Sequence, residues 1–222
     1  MAQSGLPPVI AIDGPSASGK GTVAQRVAAA LDYHYLDSGA LYRAVAWVAL
    51  HRSINLDNTL SIADIALHLN IKFNSDHIYL DAVDVTDALR SEEVGAGASR
   101  IAAYSEVRVA LLDRQKAFRQ FPGLVADGRD MGSVVFPDAR LKIYLTAGAE
   151  ERAQRRHKQL MDKGMSASMS ALLQEIRDRD ARDSARAVSP LQKCADAIEL
   201  DTTGMSIEAA VAAVLAAYRT AR

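Results

Sequence analysis

Disulfides cannot hold this chain together, because its 222 residues include one cysteine, Cys194. A single thiol also excludes a zinc site built on four cysteines, suits a reducing compartment, and reads as a small packing group. An excess of one charge is missing too. With 26 basic and 27 acidic side chains the net charge is −1, which argues against a general nucleic-acid binder and leaves any positive potential local. Long apolar runs are absent as well. Val9–Ile12 is too short for the core of a signal peptide, and Arg43 breaks the apolar stretch Ala40–Leu50, so no membrane association is expected and the protein is expected in the cytoplasm. No strand leads into the G-x-G-x-x-G of a dinucleotide fold. None of Asn55, Asn58, Asn70 and Asn74 begins the N-K-x-D that a guanine-binding switch should carry. There is no internal repeat. What is present is a chain that is 49% hydrophobic, ample for one globular domain with a proper core.

The most specific local signal lies at residues 9–22, VIAIDGPSASGKGT. Val9–Ile12 is short, β-branched and continuous, as in a strand covered on both faces. A small-residue loop follows from Gly14 through Pro15, Ser16, Ala17 and Ser18 to Gly19. Lys20, Gly21 and Thr22 then lead into a helical stretch with apolar positions at Val23, Val27 and Leu31. Strand, small-residue loop and helix form a nest whose N–H groups point inward at the positive end of a helix dipole. Such a nest binds a polyphosphate, with Lys20 reaching the outer phosphates. The strict pattern puts Ser or Thr directly after the lysine. Here Gly21 stands there, a form seen in nucleoside-monophosphate kinases, and both direct and water-mediated ligation of Mg²⁺ by Thr22 stay open.

Short apolar runs recur and end in acids: His34–Leu36 before Asp37, Leu124–Ala126 before Asp127, and Ile198–Leu200 before Asp201, with Leu141–Leu145 ending in Thr146. Helical patterns lie between them, over Gly21–Leu31, Ser38–Arg52, Ser105–Phe121, Glu150–Asp162, Met169–Arg186 and Ser206–Tyr218. Alternation of this kind predicts an α/β fold, a parallel sheet flanked by helices, with ligands at the carboxyl ends of the strands. The strand-end aspartates are expected to be exposed there, facing a site. Ile71–Asn74, His77–Leu80 and Val83–Val85 break the alternation. They read as a small antiparallel sheet, turning at Ser75–Asp76, inside an insert over about residues 62–98 of a single domain spanning 1–222. A mobile connector over Asp162–Ser170 is expected within a lid segment at about 158–170.

Three further groups carry chemistry. In LDSGALYR, Ser38 is placed to cap a helix that presents Tyr42 and Arg43 one turn on. In ADGRDMG, Asp127 and Asp130 flank Arg129 at a strand end, where a carboxylate holds Mg²⁺ through water and an arginine takes a phosphate. In RDRDARDSAR, Arg179, Arg182, Asp183 and Arg186 share one predicted helical face. A solvated, salt-bridged surface is the ordinary meaning of such a run. Beside a phosphate loop it reads better as arginines that close over a transferring group.

GPSASGKGT, LDSGALYR, DGRDMGSVVFP and RDARDSAR occur in this order over nearly the whole chain. Together they resemble the bacterial cytidylate kinases, P-loop nucleoside-monophosphate kinases whose bacterial form carries a three-stranded insert. The resemblance implies a five-stranded sheet and transfer of phosphate from ATP, with Mg²⁺, to CMP and dCMP, in a monomer. It implies that Gly14–Thr22 bind ATP with Lys20 on the transferring phosphates, and that Arg182 lies on the ATP side. Ser38, Tyr42, Arg43 and Arg129 would surround the acceptor's phosphate, while Ser99, Arg108 and Asp130 would read cytosine. Arg179, Asp183 and Arg186 would touch phosphates and the acceptor ribose, and Lys20, Arg129, Arg179 and Arg186 would be catalytic. Within the kinases, a UMP or AMP kinase is the nearest alternative. Outside them, the alternative is a P-loop module that binds nucleotide without catalysis.

Overall fold

The computed structural model describes residues 5–74, 77–162 and 164–221, apart from the Asn74 side chain. Two compact units divide the chain: residues 1–36 with 117–222, and residues 37–116. The segment 62–98, read from sequence as an insert, lies inside the second.

The first unit is built on β1 (Val9–Asp13) and α1 (Lys20–Leu31), followed by β2 (His34–Asp37), whose last residue belongs to the second unit. The chain returns to it at β6 (Leu124–Gly128), β7 (Leu141–Thr146), α6 (Ala149–Asp162), α7 (Met169–Ser184), β8 (Ile198–Asp201) and α8 (Ile207–Thr220). The five-stranded parallel sheet has the order β2-β6-β1-β7-β8. β1 is central, and Val9 to Ile12 are each 0% exposed, which is why that run lacks the alternation of a half-solvated strand. It pairs in parallel with β6 (Ile12 opposite Asp127, Asp13 opposite Gly128) and with β7 (Asp13 opposite Tyr144). Val23 and Val27 of α1 and Val214 and Tyr218 of α8 join Ile10, Ile12, Ile143 and Leu145 in one apolar core. This fixes α1, and hence the end of the phosphate loop, against the sheet. Between β6 and β7 the chain makes a π-helical turn at Met131–Val135.

The second unit holds α2 (Ser38–His51), α3 (Thr59–Leu67), an antiparallel sheet of β3 (Ile71–Asn74), β4 (His77–Leu80) and β5 (Val83–Asp84), then α4 (Glu92–Ile101) and α5 (Ser105–Lys116). The expected turn at Ser75–Asp76 lies outside the described residues. Helix α4 has no counterpart in the sequence pattern, because Gly95 and Gly97 depress helix propensity. Its packing on α2 accounts for Gly97: a Cβ there would sit 3.3 Å from the Ala46 Cβ, tighter than an ordinary contact.

Two helix ends and one cap stand out against expectation. α5 stops at Lys116 rather than Phe121, and α7 stops at Ser184, so Arg186 lies beyond the helix. The cap of α2 is Asp37 rather than Ser38. The Asp37 carboxylate accepts the Ala40 N–H at 3.0 Å, and Ser38 is the first helical residue. Among the described residues no helix is long and apolar enough to cross a membrane.

Candidate active site

The phosphate loop leaves β1 through Gly14, where a Cβ would lie 2.0 Å from the Leu145 carbonyl oxygen. No side chain fits there. Ala17 (φ 55°) and Gly19 (φ 89°) are left-handed, and this curls the loop into the first turn of α1. The loop's outward carbonyls are occupied. Ser16 O accepts from Arg152 at 3.1 Å, and Ser18 O accepts from Arg155 at 3.2 Å. Arg152 is 5% exposed and also reaches Ala147 O and the Asp180 carboxylate. These arginines were not singled out from the sequence, since the α6 pattern EERAQRR reads as an ordinary charged helix. The Ser16 and Ser18 hydroxyls are buried without a hydrogen-bond partner among the described residues. Buried hydroxyls in that condition fit a ligand rich in acceptors, and a polyphosphate is one.

Lys20 is 9% exposed, and its Nζ donates to Pro15 O at 3.2 Å and lies 3.9 Å from Asp127 Oδ1. Asp127, at the end of β6, also accepts from the Tyr35 hydroxyl at 3.4 Å. The departure from the strict loop pattern has a steric reason. A Cβ on residue 21 would stand 3.1 Å from Asp127 Oδ2, so glycine admits the carboxylate next to the lysine. Thr22 is on the exposed side of α1.

Arg129, Arg179, Asp183 and Arg186 come together in the same unit. Asp183 is 1% exposed, with Oδ2 accepting from Arg129 Nε at 2.9 Å and Oδ1 accepting from Arg186. Burial alone would push its carboxyl up. The charges of Arg129, Arg186 and Arg179 outweigh burial and hold it below the ordinary carboxylate range. The run is therefore not a solvated surface: one buried carboxylate gathers three guanidiniums. Arg182 is different. It is exposed and bonds the Asp178 carbonyl at 3.3 Å. Asp130 is 4% exposed.

The expectation of exposed strand-end acids is corrected for Asp13 and for Asp127, which is 5% exposed. Asp13 is 6% exposed and accepts the N–H groups of Met131 and Gly132, both at 2.8 Å.

In the second unit, Ser38, Tyr42 and Ser99 are buried. Arg108 lies over the Tyr42 ring at 5.8 Å from its centroid and donates to Ala102 O at 3.1 Å. Arg43 donates to Leu89 O at 2.9 Å. Tyr42 and Arg108 are thus neighbours, although 42 and 108 lie in different helices.

A family model described as cytidylate kinase matches residues 10–220. A protein named cytidylate kinase from Nitrosomonas europaea is 60% identical over 215 residues, covering 97% of this chain and 96% of that protein. One of the same name from Bordetella bronchiseptica is 57% identical, covering 98% of each. Another from Pseudomonas aeruginosa (strain UCBPP-PA14) is 55% identical, covering 96% of this chain and 95% of the relative.

Proposed function

The chain belongs to the cytidylate kinase family, and on that premise we infer that it transfers the γ-phosphate of ATP to CMP, giving ADP and CDP. The observation that carries this reading is the buried gathering of Arg129, Arg179 and Arg186 on Asp183 in the unit that also holds the phosphate loop. Guanidiniums gathered at one place supply the positive charge that phosphoryl transfer needs and that a non-catalytic nucleotide holder does not.

An oxygen of the CMP phosphate attacks the γ-phosphorus of ATP. The bond from that phosphorus to the bridging oxygen breaks, and the electron pair leaves on ADP. No protein nucleophile is required, so catalysis is positioning and charge stabilisation. The main chain of Gly14–Thr22 holds the ATP phosphates, and Lys20 neutralises charge on the transferring group. Arg129, Arg179 and Arg186 stabilise the spread negative charge of the transition state. Asp183 orients those guanidiniums and is placed by the resemblance at the acceptor ribose. Mg²⁺, when bound, would supply charge neutralisation at the ATP phosphates. The carboxylate of Asp127 and the hydroxyl of Thr22 are hard oxygen donors suited to hold it through water.

The acceptor falls to Ser38, Tyr42, Arg43 and Arg129 at its phosphate, and to Ser99, Arg108 and Asp130 at its base. A carboxylate only accepts and a guanidinium only donates, which suits the N4 amino group and the N3 or O2 acceptors of cytosine. This reading extends to dCMP as a second acceptor, Arg182 on the ATP side, an acceptor-binding role for residues 62–98, and a lid at about 158–170. It includes a monomer working in the cytoplasm. Incubation with ATP, Mg²⁺ and CMP should yield ADP and CDP in equal amounts. ADP without CDP would replace the reading with hydrolysis.

A further inference from the structure

Asp13 takes no part in the chemistry above, yet both of its carboxylate oxygens are spent. Oδ1 accepts from Met131 N and Oδ2 from Gly132 N, each at 2.8 Å and across 118 and 119 residues of sequence. Those two N–H groups open the π-helical turn Met131–Val135, where a helical start leaves its first donors without partners. The residue placed to satisfy them is Asp130, an aspartate in the cap position. Its side chain makes no cap bond, while its carbonyl accepts from Val134 N at 2.9 Å and Val135 N at 3.2 Å. The cap is supplied from another strand instead.

Asp13 is well suited to hold something still. It ends the central strand, and the next residue, Gly14, has no space for a Cβ against Leu145. On the other side of the contact, a Cβ on Gly132 would meet Lys142 carbons at 3.1 Å and Asp13 Oδ2 at 3.4 Å. Both ends of the link are therefore fixed by close packing. The arrangement also runs against stability. Burial pushes the Asp13 carboxyl up to about 7, with Asp130 and Asp127 adding to the rise and the two N–H groups opposing it. Stability alone would favour a neutral group in such a place, and costly buried charges concentrate at functional sites.

We infer that Asp13 is a positioning residue that caps the Met131–Val135 turn from β1 and thereby fixes the Arg129–Asp130 pair for the acceptor. The inference rests on the acceptor role given to that pair above. It separates two effects that a general loss of structure would join. Relaxing the cap should disturb the acceptor and its base, while the phosphate loop, held by Arg152 and Arg155, keeps ATP.

The test is Asp13→Asn, which keeps the shape but turns a donor toward one of the two N–H groups. Separate titrations with CMP and ATP, kcat/KM for CMP and UMP, and a melting curve are the readouts. The expected result is a folded variant with CMP affinity lower by about 10-fold or more, ATP affinity within about 2-fold, and a reduced CMP/UMP ratio. Equal weakening of both nucleotides, or an unchanged CMP/UMP ratio, overturns the proposal. If Asp13→Asn does not fold, Asp13→Ser, which keeps one acceptor, takes its place. Failure of both to fold would assign Asp13 to stability and overturn the proposal too. If the unaltered protein binds ATP but no CMP, the acceptor reading fails, and with it the positioning role. Amide exchange at Met131 and Gly132 separately reports whether the cap itself exists.

Discussion

Lys20 and Asp127 meet at 3.9 Å inside the phosphate loop, with the lysine also held on the Pro15 carbonyl. The main chain supplies most of the nest, so Lys20→Ala should fold and still hold ATP. It should lose on the order of 10²-fold or more in kcat, because the charge on the transferring group is gone. Steady-state turnover close to normal would remove Lys20 from the mechanism. Asp13 makes a different kind of claim at this scale. The folded carboxyl keeps its proton up to about pH 7, whereas the unfolded one releases it near 3.8. Between those values the folded state binds more protons, so this group's contribution to stability falls as pH rises and levels off above about 7. Asp127, Asp130, Cys194 and Lys142 surround it and shape the same titration. Subtracting the Asp13→Asn melting temperature from that of the unaltered protein isolates the group. The difference should shrink from about pH 4.5 to 8, and a difference that grows would show that the two N–H bonds outweigh burial. The loop was legible residue by residue because its glycine spacing is local. Asp13 was legible as a strand-end acid only, since its partners stand 118 and 119 residues away.

Among the elements, α7 and the chain just beyond it carry the decisive side chains. Its sequence showed the spacing of Arg179, Arg182, Asp183 and Arg186 but not which side was buried. Packing decides that. Asp183 is inside and collects Arg129 and Arg186, while Arg182 lies outside on the Asp178 carbonyl. Arg129→Ala, Arg179→Ala and Arg186→Ala should each lower kcat by far more than they lower the melting temperature. A salt-bridged surface would show the reverse, with changes within roughly 1 kcal/mol of stability and intact turnover. Measuring both quantities for each variant settles the matter. The other elements show where periodicity stops being informative. The five sheet strands could be read from short apolar runs, four of them ending in an aspartate. α4 could not, because Gly95 and Gly97 depress helix propensity, while Gly97 answers to the approach of α2. The α2 cap was assigned one residue late for a related reason. Asp37 and Ser38 are both good caps, and only the backbone geometry chooses the aspartate.

The whole molecule is a phosphate-binding sheet unit and a second unit bearing Tyr42, Ser99 and Arg108. Its fold class followed from alternation of strand and helix, and its phosphate chemistry from the loop and the arginine run. The choice of base did not follow from either, because hydrogen-bond complementarity depends on side chains far apart in sequence. That choice gives a sharp expectation for Asp130→Ala. A buried polar mismatch costs roughly 1–3 kcal/mol per group, so removing the carboxylate should reduce CMP turnover and narrow the CMP/UMP ratio of kcat/KM. If both acceptors weakened equally, Asp130 would serve only to support Arg129. The central claim is that this arrangement moves phosphate from ATP to cytidine monophosphates in particular. The most direct measurement is ADP release from ATP with CMP, dCMP, UMP, AMP and GMP offered one at a time. kcat/KM should be highest for CMP, with dCMP accepted and UMP lower by on the order of 10²-fold or more. Equal or faster transfer to UMP or AMP, or ADP release independent of any acceptor, would contradict it.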